Sequence, residues 1–398
     1  MSPVVRWMVA MVGLALIACA PRPPVTPVDP RERLVLDDEE AAALDPELAA
    51  RLASDAHEYF RYVSNRFVGL ECELAAEGPI VNLHGDAHLE QYLVTSLGRG
   101  MGDFDEATTG PASIDLLRLA ASIRIVSRAR DFDADALWRQ FLEGYLTALR
   151  DPEVRAPEPA LVARVRAAFT RDHAALLSFA ESLLRPVPER EAARVEVAFA
   201  DYVEMLARHR PELDARELEI LEVGTHGLGV GSRRASNYLI RARGPTDAPG
   251  DDLVLEAKEV TRNPLASCLP IAQGDHPLRV LVADARLAYS PFRDVGLVRI
   301  DGRPYWVHEW VDDYVELDVH DPRTSEDDLR EVLYDIGVQL GVGHPRALND
   351  PYAGELRQEL LTFVGSRGGA LWTLADRLAR LTWAAWEGFL ARRVSGSR

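Results

Sequence analysis

The sequence predicts an α+β fold in which a helical body is interrupted by one β-rich segment. Apolar residues recur at helical spacing over most of residues 44–218, and the same pattern returns over 316–398. Between these parts, residues 219–315 contain alternating apolar runs separated by glycine-rich turns, which is typical of antiparallel strands. We therefore expect a helical part, a β-rich part and a set of C-terminal helices, in that order. Within these parts the sequence predicts a helix over about 46–67, a helix with Ser113 as its N-cap and a hairpin around Asp301 and Gly302.

The composition is that of a globular protein with a strongly acidic balance. The 398 residues are 47% apolar and 27% charged, which is enough apolar material for a large buried core. The formal net charge is −18 at pH 7. Because like charges repel, this balance argues against nucleic acid and against an anionic membrane surface as binding partners.

Residues 1–19 have the features of a lipoprotein signal peptide. Arg6 precedes a continuous apolar run over 7–18, which is too short to span a bilayer but has the length of a signal-peptide core. The run ends in LIAC, which resembles the bacterial lipobox, whose cysteine becomes the lipidated N-terminus. We therefore expect lipidation of Cys19, followed by a proline-rich tether over 20–43. The alternative interpretation is a short buried strand or a wrongly assigned start.

The predicted location bears on the remaining cysteines. Ala20, directly after Cys19, fits the usual sorting rule for the outer membrane. The body is therefore expected in the bacterial cell envelope, anchored to the membrane by the lipid and facing the periplasm. In such an oxidising compartment Cys72 and Cys268 could form a disulfide, and two buried free thiols are the alternative.

Two acidic loops near the start of the body suggest phosphate chemistry. Asp86 directly follows a predicted strand over 80–83, and Asp103 comes after a glycine-rich turn that would bring both carboxylates to one end. Phosphoryl transfer needs one carboxylate to accept the hydrogen of the attacking hydroxyl and another to hold the Mg²⁺ that neutralises the phosphates. Asp105 and Glu106 add negative charge that suits a hard cation. The alternative is that these acids only cap turns and helices.

A second group of residues lies far away in the sequence. Gly227, Gly229 and Gly231 precede an alternating run, and Lys258 lies inside the next predicted strand. Glycines let a backbone approach phosphates closely, and a lysine on a strand can then pair with phosphate. The alternative is an ordinary turn followed by a charge that protects an edge strand.

Together these segments resemble an uncharacterised bacterial family within the protein-kinase-like superfamily, related to aminoglycoside phosphotransferases. The family pattern runs GDxHxxNFG, DFDEAxxGPxxWDLxRLAAS, GxGSxGxRR and QxKEA. The matching stretches are GDAHLEQ (85–91), GDFDEA (102–107), GP (110–111), DLLRLAAS (115–122), GVGSRR (229–234) and EAKE (256–259). The resemblance covers most of the chain from about residue 55 onward, and the block from DFDEA to RLAAS is its most specific part.

The resemblance implies a two-lobed, circularly permuted protein-kinase-like fold that uses Mg²⁺ and ATP. In an ordinary kinase the glycine loop and the lysine strand precede the catalytic and metal-binding loops, whereas here they follow them. The β-rich segment would be the small lobe, and the helical parts on either side would together form the large lobe. By position, Asp86 would be the catalytic base and Asp103 a metal ligand, while Lys258 and the three glycines would hold the phosphates.

Further roles follow from the same resemblance. Asp115 would be a structural acid that braces the catalytic loop, and His84 is likewise assigned a structural role. Gln91 occupies the place of the family's metal-binding Asn, and its longer side chain changes the metal geometry. The acid expected on the small-lobe helix should lie near Ala283, where only Asp284 is close.

Three functions therefore stay open at the level of sequence. The first is an Mg-dependent phosphotransferase that acts on an unknown acceptor. The second is a degenerate kinase-like lipoprotein that binds a ligand or acts as a scaffold without catalysis, because ATP is scarce outside the cytoplasm. The third is a metallophosphoesterase with His84, Asp86 and His88 as metal ligands, although the further metal-binding motifs of those enzymes are missing.

Overall fold

The computed structural model describes residues 30–210, 212–213, 216–227, 236–263, 265, 269, 277–289, 292–347 and 350–396. Some of the residues singled out above lie outside these ranges. They are the predicted signal peptide with Cys19, the tether up to residue 29, Gly229, Gly231 and Cys268.

Helices account for most of the described chain. They are α1 (Pro30–Leu34), α2 (Asp38–Ala43), α3 (Pro46–Ser54), α4 (Ala56–Tyr62), α5 (Ser64–Ala75), α6 (Ser113–Arg130), α7 (Ala134–Arg150), α8 (Ala160–Ala167), α9 (His173–Leu183), α10 (Glu189–His209), α11 (Leu278–Leu287), α12 (Glu326–Gly343) and α13 (Asp350–Gly396). Among the described residues, no helix has the length and apolar character needed to cross a membrane.

The strands form three antiparallel sheets, which confirms the α+β class. They are β1 (Ile80–Leu83), β2 (Tyr92–Thr95), β3 (Arg99–Met101), β4 (Thr108–Pro111), β5 (Arg185–Pro186), β6 (Ile220–Thr225), β7 (Asn237–Ala242), β8 (Leu253–Glu259), β9 (Gly296–Ile300), β10 (Arg303–Glu309) and β11 (Tyr314–Glu316). The largest sheet has the order β5-β6-β7-β8-β10-β9, and the two small sheets are β1-β4 and β11-β2-β3.

The largest sheet is covered by a helix on each face. Leu239 and Ile240 are neighbours on β7 and therefore point to opposite faces. Ile240 packs in a cluster with Phe199 of α10, whereas Leu239 packs with Leu176 of α9. The boundary predicted at residue 218 therefore separates these two helices from the sheet on which they pack.

The helices from both ends of the chain form one body around α6, which is buried over most of its length. Leu34, near the start of the described chain, and Phe389, near its end, belong to the same apolar cluster. Helices α7 and α12 approach closely because Gly144 has no side chain: a Cβ there would lie 2.1 Å from the carbonyl oxygen of Tyr334. Close packing of this kind fixes the position of α12, which supports the site described below.

Some local predictions are confirmed and others are not. The hairpin predicted around Asp301 and Gly302 is present as β9 and β10, and both turn residues have the positive φ that such turns require. The helix predicted over 46–67 is three helices, because the carboxylate of Asp55 accepts the first amides of α4 and so starts a new helix. Ser113 is not the predicted N-cap of α6; its hydroxyl instead accepts the backbone N–H of Glu77, at 3.0 Å.

Candidate active site

The first acidic loop is held by a buried carboxylate at the start of α6. Asp115 accepts the backbone N–H of His84 at 2.7 Å and that of Gly85 at 2.9 Å. The Nε2 atom of His344 lies 3.2 Å from the same carboxylate. Hydrogen bonds to a charged acceptor are the strong ones, so Asp115 fixes the backbone that leads into Asp86.

The two acidic loops contact each other directly. Gly85 has φ of +84°, and a Cβ at this position would lie only 2.0 Å from the carbonyl oxygen of Glu106. His84 donates from Nε2 to the carbonyl oxygen of Gly102, at 2.8 Å. These contacts place the loop of Asp86 against the loop of Asp103, as the sequence predicted from their spacing.

Asp103 has a strained backbone at the tip of the second loop. Its φ of 56° and ψ of 67° are left-handed, a conformation that is uncommon for a residue other than glycine and is found mainly where the surroundings enforce it. The preceding strand is held by Gln339 of α12, which accepts the backbone N–H of Met101 at 2.7 Å and donates to its carbonyl oxygen at 3.1 Å. The Asp103 side chain is 46% exposed and can therefore meet a ligand.

Lys258 reaches the second acidic loop from the largest sheet. Its Nζ atom lies 3.1 Å from Oδ1 of Asp103 and 2.5 Å from Oδ2 of Asp105. Trp306, the partner of Lys258 across β8 and β10, donates from Nε1 to the other oxygen of Asp105 at 2.8 Å. The groups predicted to meet from opposite halves of the chain therefore lie side by side.

The pKa values of Lys258, Asp103 and Asp105 are shifted by desolvation and by the charges of the three groups on one another. Burial lowers the pKa of Lys258, but the two carboxylates outweigh this effect and hold the pKa well above its usual range. Asp103 is half-exposed, and its partial desolvation by the surrounding protein raises its pKa, yet the ammonium of Lys258 outweighs this effect and the pKa is lowered. Burial and the charge of Asp103 raise the pKa of Asp105 to about 6, despite Lys258. One ammonium therefore faces more carboxylate charge than it neutralises, and a divalent cation would be attracted there.

The carboxylate of Asp86, on the neighbouring loop, is held in place by several hydrogen-bond donors. Arg118 donates from Nε to Oδ1 of Asp86, and Ser64 donates to the same oxygen at 3.2 Å. Gln91 donates to the other oxygen at 3.4 Å, and Nε2 of His88 lies 3.6 Å from it. Burial raises the pKa of Asp86, but Arg118 and His88 outweigh burial and hold the pKa well below its usual range. The carboxylate is therefore ionised at neutral pH and oriented from both sides.

The family model of DUF2252, described as an uncharacterised protein conserved in bacteria, matches residues 42–178 and 160–392. The chain belongs to this family. Comparisons with curated proteins and with solved structures found no match.

The number of lysines in this DUF2252 protein is a signal in the sequence that the motif-based prediction did not use. Lys258 is the only lysine in the chain, since the other 44 of its 45 basic residues are arginine. Arginine is a planar fork, whereas lysine is a compact point charge on a flexible stem. Lys258, the single lysine among 45 basic residues, thus lies against Asp103 and Asp105, because its compact ammonium fits between two carboxylates.

The buried role of Arg118 was also missed. Its side chain is fully buried, with its guanidinium carbon 4.3 Å from the ring centroid of Phe60. A lone arginine within the apolar stretch DLLRLAAS was a signal for this, because an arginine on a buried helix face needs a charged partner. The partner, Asp86, lies on a different element and could not be identified without the fold.

Other predicted residues are less closely connected with the site. Gly227 lies near the side chain of Arg185, and the two further glycines of its loop fall outside the described residues. Asp284 does not provide the acid partner expected for Lys258. It is buried on α11, where burial raises its pKa to about 6, and Lys258 pairs with Asp103 and Asp105 instead.

The donor set suits a hard cation. Carboxylate oxygens and the amide oxygen of Gln91 are the ligand types that Mg²⁺ prefers, and the strained, exposed carboxylate of Asp103 is placed to offer one. The third interpretation, with two histidines as ligands beside Asp86, fits less well. The Nε2 atom of His84 is directed to the carbonyl oxygen of Gly102 and is thus already used.

Proposed function

We propose that this protein is a phosphotransferase that uses a nucleoside triphosphate and Mg²⁺ and acts on an acceptor hydroxyl. The observation that carries the proposal is the contact of its only lysine, Lys258, with Asp103 and Asp105. A lysine and carboxylates that meet from distant parts of a chain, next to a second ionised carboxylate, form the minimal set for holding phosphates and directing a hydroxyl.

Each residue has a defined part in the proposed reaction. Lys258 binds phosphate oxygens, and Asp103, with the amide oxygen of Gln91, would hold Mg²⁺, which supplies neutralisation of the phosphate charge. Asp86 orients the acceptor hydroxyl and takes its proton as the new P–O bond forms. The bond to the bridging oxygen breaks, and the nucleoside diphosphate leaves. The low pKa of Asp86 is acceptable, since a loose transition state needs positioning more than a strong base.

We also propose that the fold is kinase-like and circularly permuted. In support, the loops that carry Asp86 and Asp103 precede the strand that carries Lys258, and the largest sheet is a separate layer covered by α9 and α10. Helix α12, from the C-terminal part, supports β3 immediately before Asp103. The C-terminal helices thus complete the part of the protein that carries the acidic loops, as the permuted order requires.

The test begins with the binding of ATP and Mg²⁺ to the purified chain, measured by calorimetry. Lys258→Met is expected to abolish binding of the triphosphate, and Lys258→Arg is expected to bind phosphate but to lose transfer, since the guanidinium does not fit between two carboxylates. Arg299→Met, an exposed position on the same sheet, is the matched control and should behave as wild type. Absence of nucleotide binding by the wild-type protein would rule out the proposal.

The single lysine allows a second and independent measurement. An amine-reactive acyl phosphate of ATP can modify only one side chain in this protein, and peptide mapping separates that product from the modified N-terminus. Labelling of Lys258 that is prevented by excess ATP with Mg²⁺ would place the nucleotide phosphates at the side chain. Labelling that is insensitive to nucleotide would contradict the assigned role.

The second candidate function is that of a lipoprotein that binds a ligand without catalysis. Its location in the cell envelope is favoured by one observation. Cys72 is disulfide-bonded, which is typical of proteins in oxidising compartments, where ATP is scarce. Nucleotide binding without phosphate transfer to water or to any acceptor would favour this second function. We retain the envelope anchor through Cys19 as part of both proposals.

A further inference from the structure

A second group of potential metal ligands lies beside the catalytic loop and has a different chemistry. His57, Glu90 and His320 each offer one ligand atom, and these atoms all lie within 4.8 Å of one another. They come from α4, from the turn of 3₁₀ helix before β2, and from the segment after β11. The donors are two imidazole nitrogens and a carboxylate, a set typical of zinc and related transition metals rather than of Mg²⁺.

The hydrogen bonds around His57 have the pattern that metal-binding histidines show. Its Nε2 atom lies 2.9 Å from the hydroxyl of Ser122, and that hydroxyl already accepts the backbone N–H of Leu89 at 3.1 Å. The second lone pair of this hydroxyl can accept Nε2–H, and in that tautomer the lone pair of Nδ1 faces Glu90, at 3.2 Å. A histidine ligand usually donates its other ring N–H to such a partner, which fixes the ring orientation.

The remaining ligands are also held in position. Asp318 accepts the backbone N–H of His320 at 2.8 Å and so fixes the turn that presents this ring. The Nε2 atom of His320 is buried and lies 3.1 Å from the carboxylate of Asp55. Arg61 donates to the carboxylate of Glu90 at 2.8 Å, which is the outer-shell contact that a ligating carboxylate commonly has.

The charge of this pocket leaves room for a cation. Asp55 and Glu90 supply two carboxylates, and Arg61 is the guanidinium that contacts Glu90. Metal binding requires both imidazoles to be neutral, and these groups then carry one net negative charge, which a divalent ion would reverse in sign.

We propose that His57, Glu90 and His320 bind a zinc-class divalent ion. The ion would tie α4 and the segment after β11 to the loop that carries Asp86, because Glu90 is only four residues further along the chain. The ion is structural: none of its three ligands is a residue that we assign to Mg²⁺ or to phosphate transfer. This inference does not depend on the proposed function.

The test uses the full chain without a polyhistidine tag, stripped with a chelator and titrated with Zn²⁺ by calorimetry. Co²⁺, which reports a tetrahedral nitrogen and oxygen environment in its absorption spectrum, is the second probe. His320→Ala is the decisive variant, because this side chain is 31% exposed and its loss should leave the fold intact. We expect it to weaken Zn²⁺ binding at least about 100-fold, since even outer-shell changes cost 10- to 100-fold.

Two controls make the result specific. His173→Ala removes a histidine that is 30% exposed and also lies against an aspartate, Asp312, at 2.6 Å. Within the part of the chain that the structure describes, His173 belongs to no group of three potential metal ligands. This variant should bind Zn²⁺ as tightly as the wild type. Asp103→Asn should also retain Zn²⁺ binding, which separates this site from the Mg²⁺ position. No Zn²⁺ binding by the wild type, or equal affinity in His320→Ala, would overturn the inference.

Discussion

Glu106 provides a test of the site electrostatics that needs no knowledge of the substrate. Its carboxyl is buried against the loop of Asp86, and one of its oxygens has no hydrogen-bond partner within the described structure. Burial and the charge of Asp86 raise its pKa from 4.5 to about 7. The folded protein therefore holds a proton there between these pH values, whereas the unfolded chain releases it. Stability must then fall as the pH rises through this window, because the native state binds more protons.

The size of the effect follows from the two pKa values. One pKa unit corresponds to about 1.4 kcal/mol, so the wild type should lose about 2 to 3 kcal/mol of this contribution between pH 5 and pH 8. Glu106→Gln keeps the shape and carries no charge at either pH, so it should lack that loss. The assay is urea denaturation of both proteins at pH 5 and pH 8. Glu196→Gln, an exposed position on α10, is the control and should follow the wild type. Parallel loss of stability in the wild type and Glu106→Gln would refute the reasoning.

Three further outcomes are expected. Asp115→Ala removes the charged acceptor of two buried amides and should lower the free energy of unfolding by about 4 kcal/mol, measured by urea denaturation; a loss under about 1 kcal/mol would contradict the assigned bracing role. Gly85→Ala would place a side chain on a left-handed backbone and against the carbonyl oxygen of Glu106, so it should lower the free energy of unfolding by about 3 kcal/mol or more. Gly302→Ala has only the backbone cost, about 1 kcal/mol, because nothing lies near its Cβ position. Equal losses in the two variants would argue against the contact between the acidic loops. Cys19→Ser should no longer incorporate labelled palmitate and should leave the membrane fraction, and a variant that stays membrane-bound would exclude the lipid anchor.

The parts of the site that local sequence could predict are those that depend on local rules. The strand before Asp86 and the strand of Lys258 were both recognisable from their apolar patterns, and the hairpin at Asp301 from its turn residues. The meeting of the two acidic loops followed from the short distance between them in the chain. The resemblance to a family supplied the pairing of Lys258 with the acidic loop, since no local rule relates residues 155 positions apart.

The partners of the site residues required the fold itself. Arg118 contacts Asp86 because α6 also holds the loop of Asp86 through Asp115. Asp284 is buried on α11, and Lys258 pairs with Asp103 and Asp105. Likewise, the histidines at 57 and 320 are unremarkable in sequence. They become candidate ligands once the segment after β11 returns to the helical body beside Glu90.

The two proposed cation positions differ in how exposed their ligands are and therefore in how readily a bound ion should exchange. Asp103 is half-exposed and strained, with a flexible lysine as its neighbour, and such a carboxylate can exchange its partner when phosphate and a hard cation enter. His57 and Glu90 are buried, and each is held by further hydrogen bonds, so a metal bound there would not exchange readily. If both proposals hold, the loop of Asp86 connects two cation sites, an Mg²⁺ site at Asp103 whose ion exchanges and a zinc-class site at His57 and Glu90 whose ion stays bound. Removal of zinc should then lower phosphate transfer indirectly, through displacement of Asp86, while leaving the affinity of Lys258 for the nucleotide nearly unchanged.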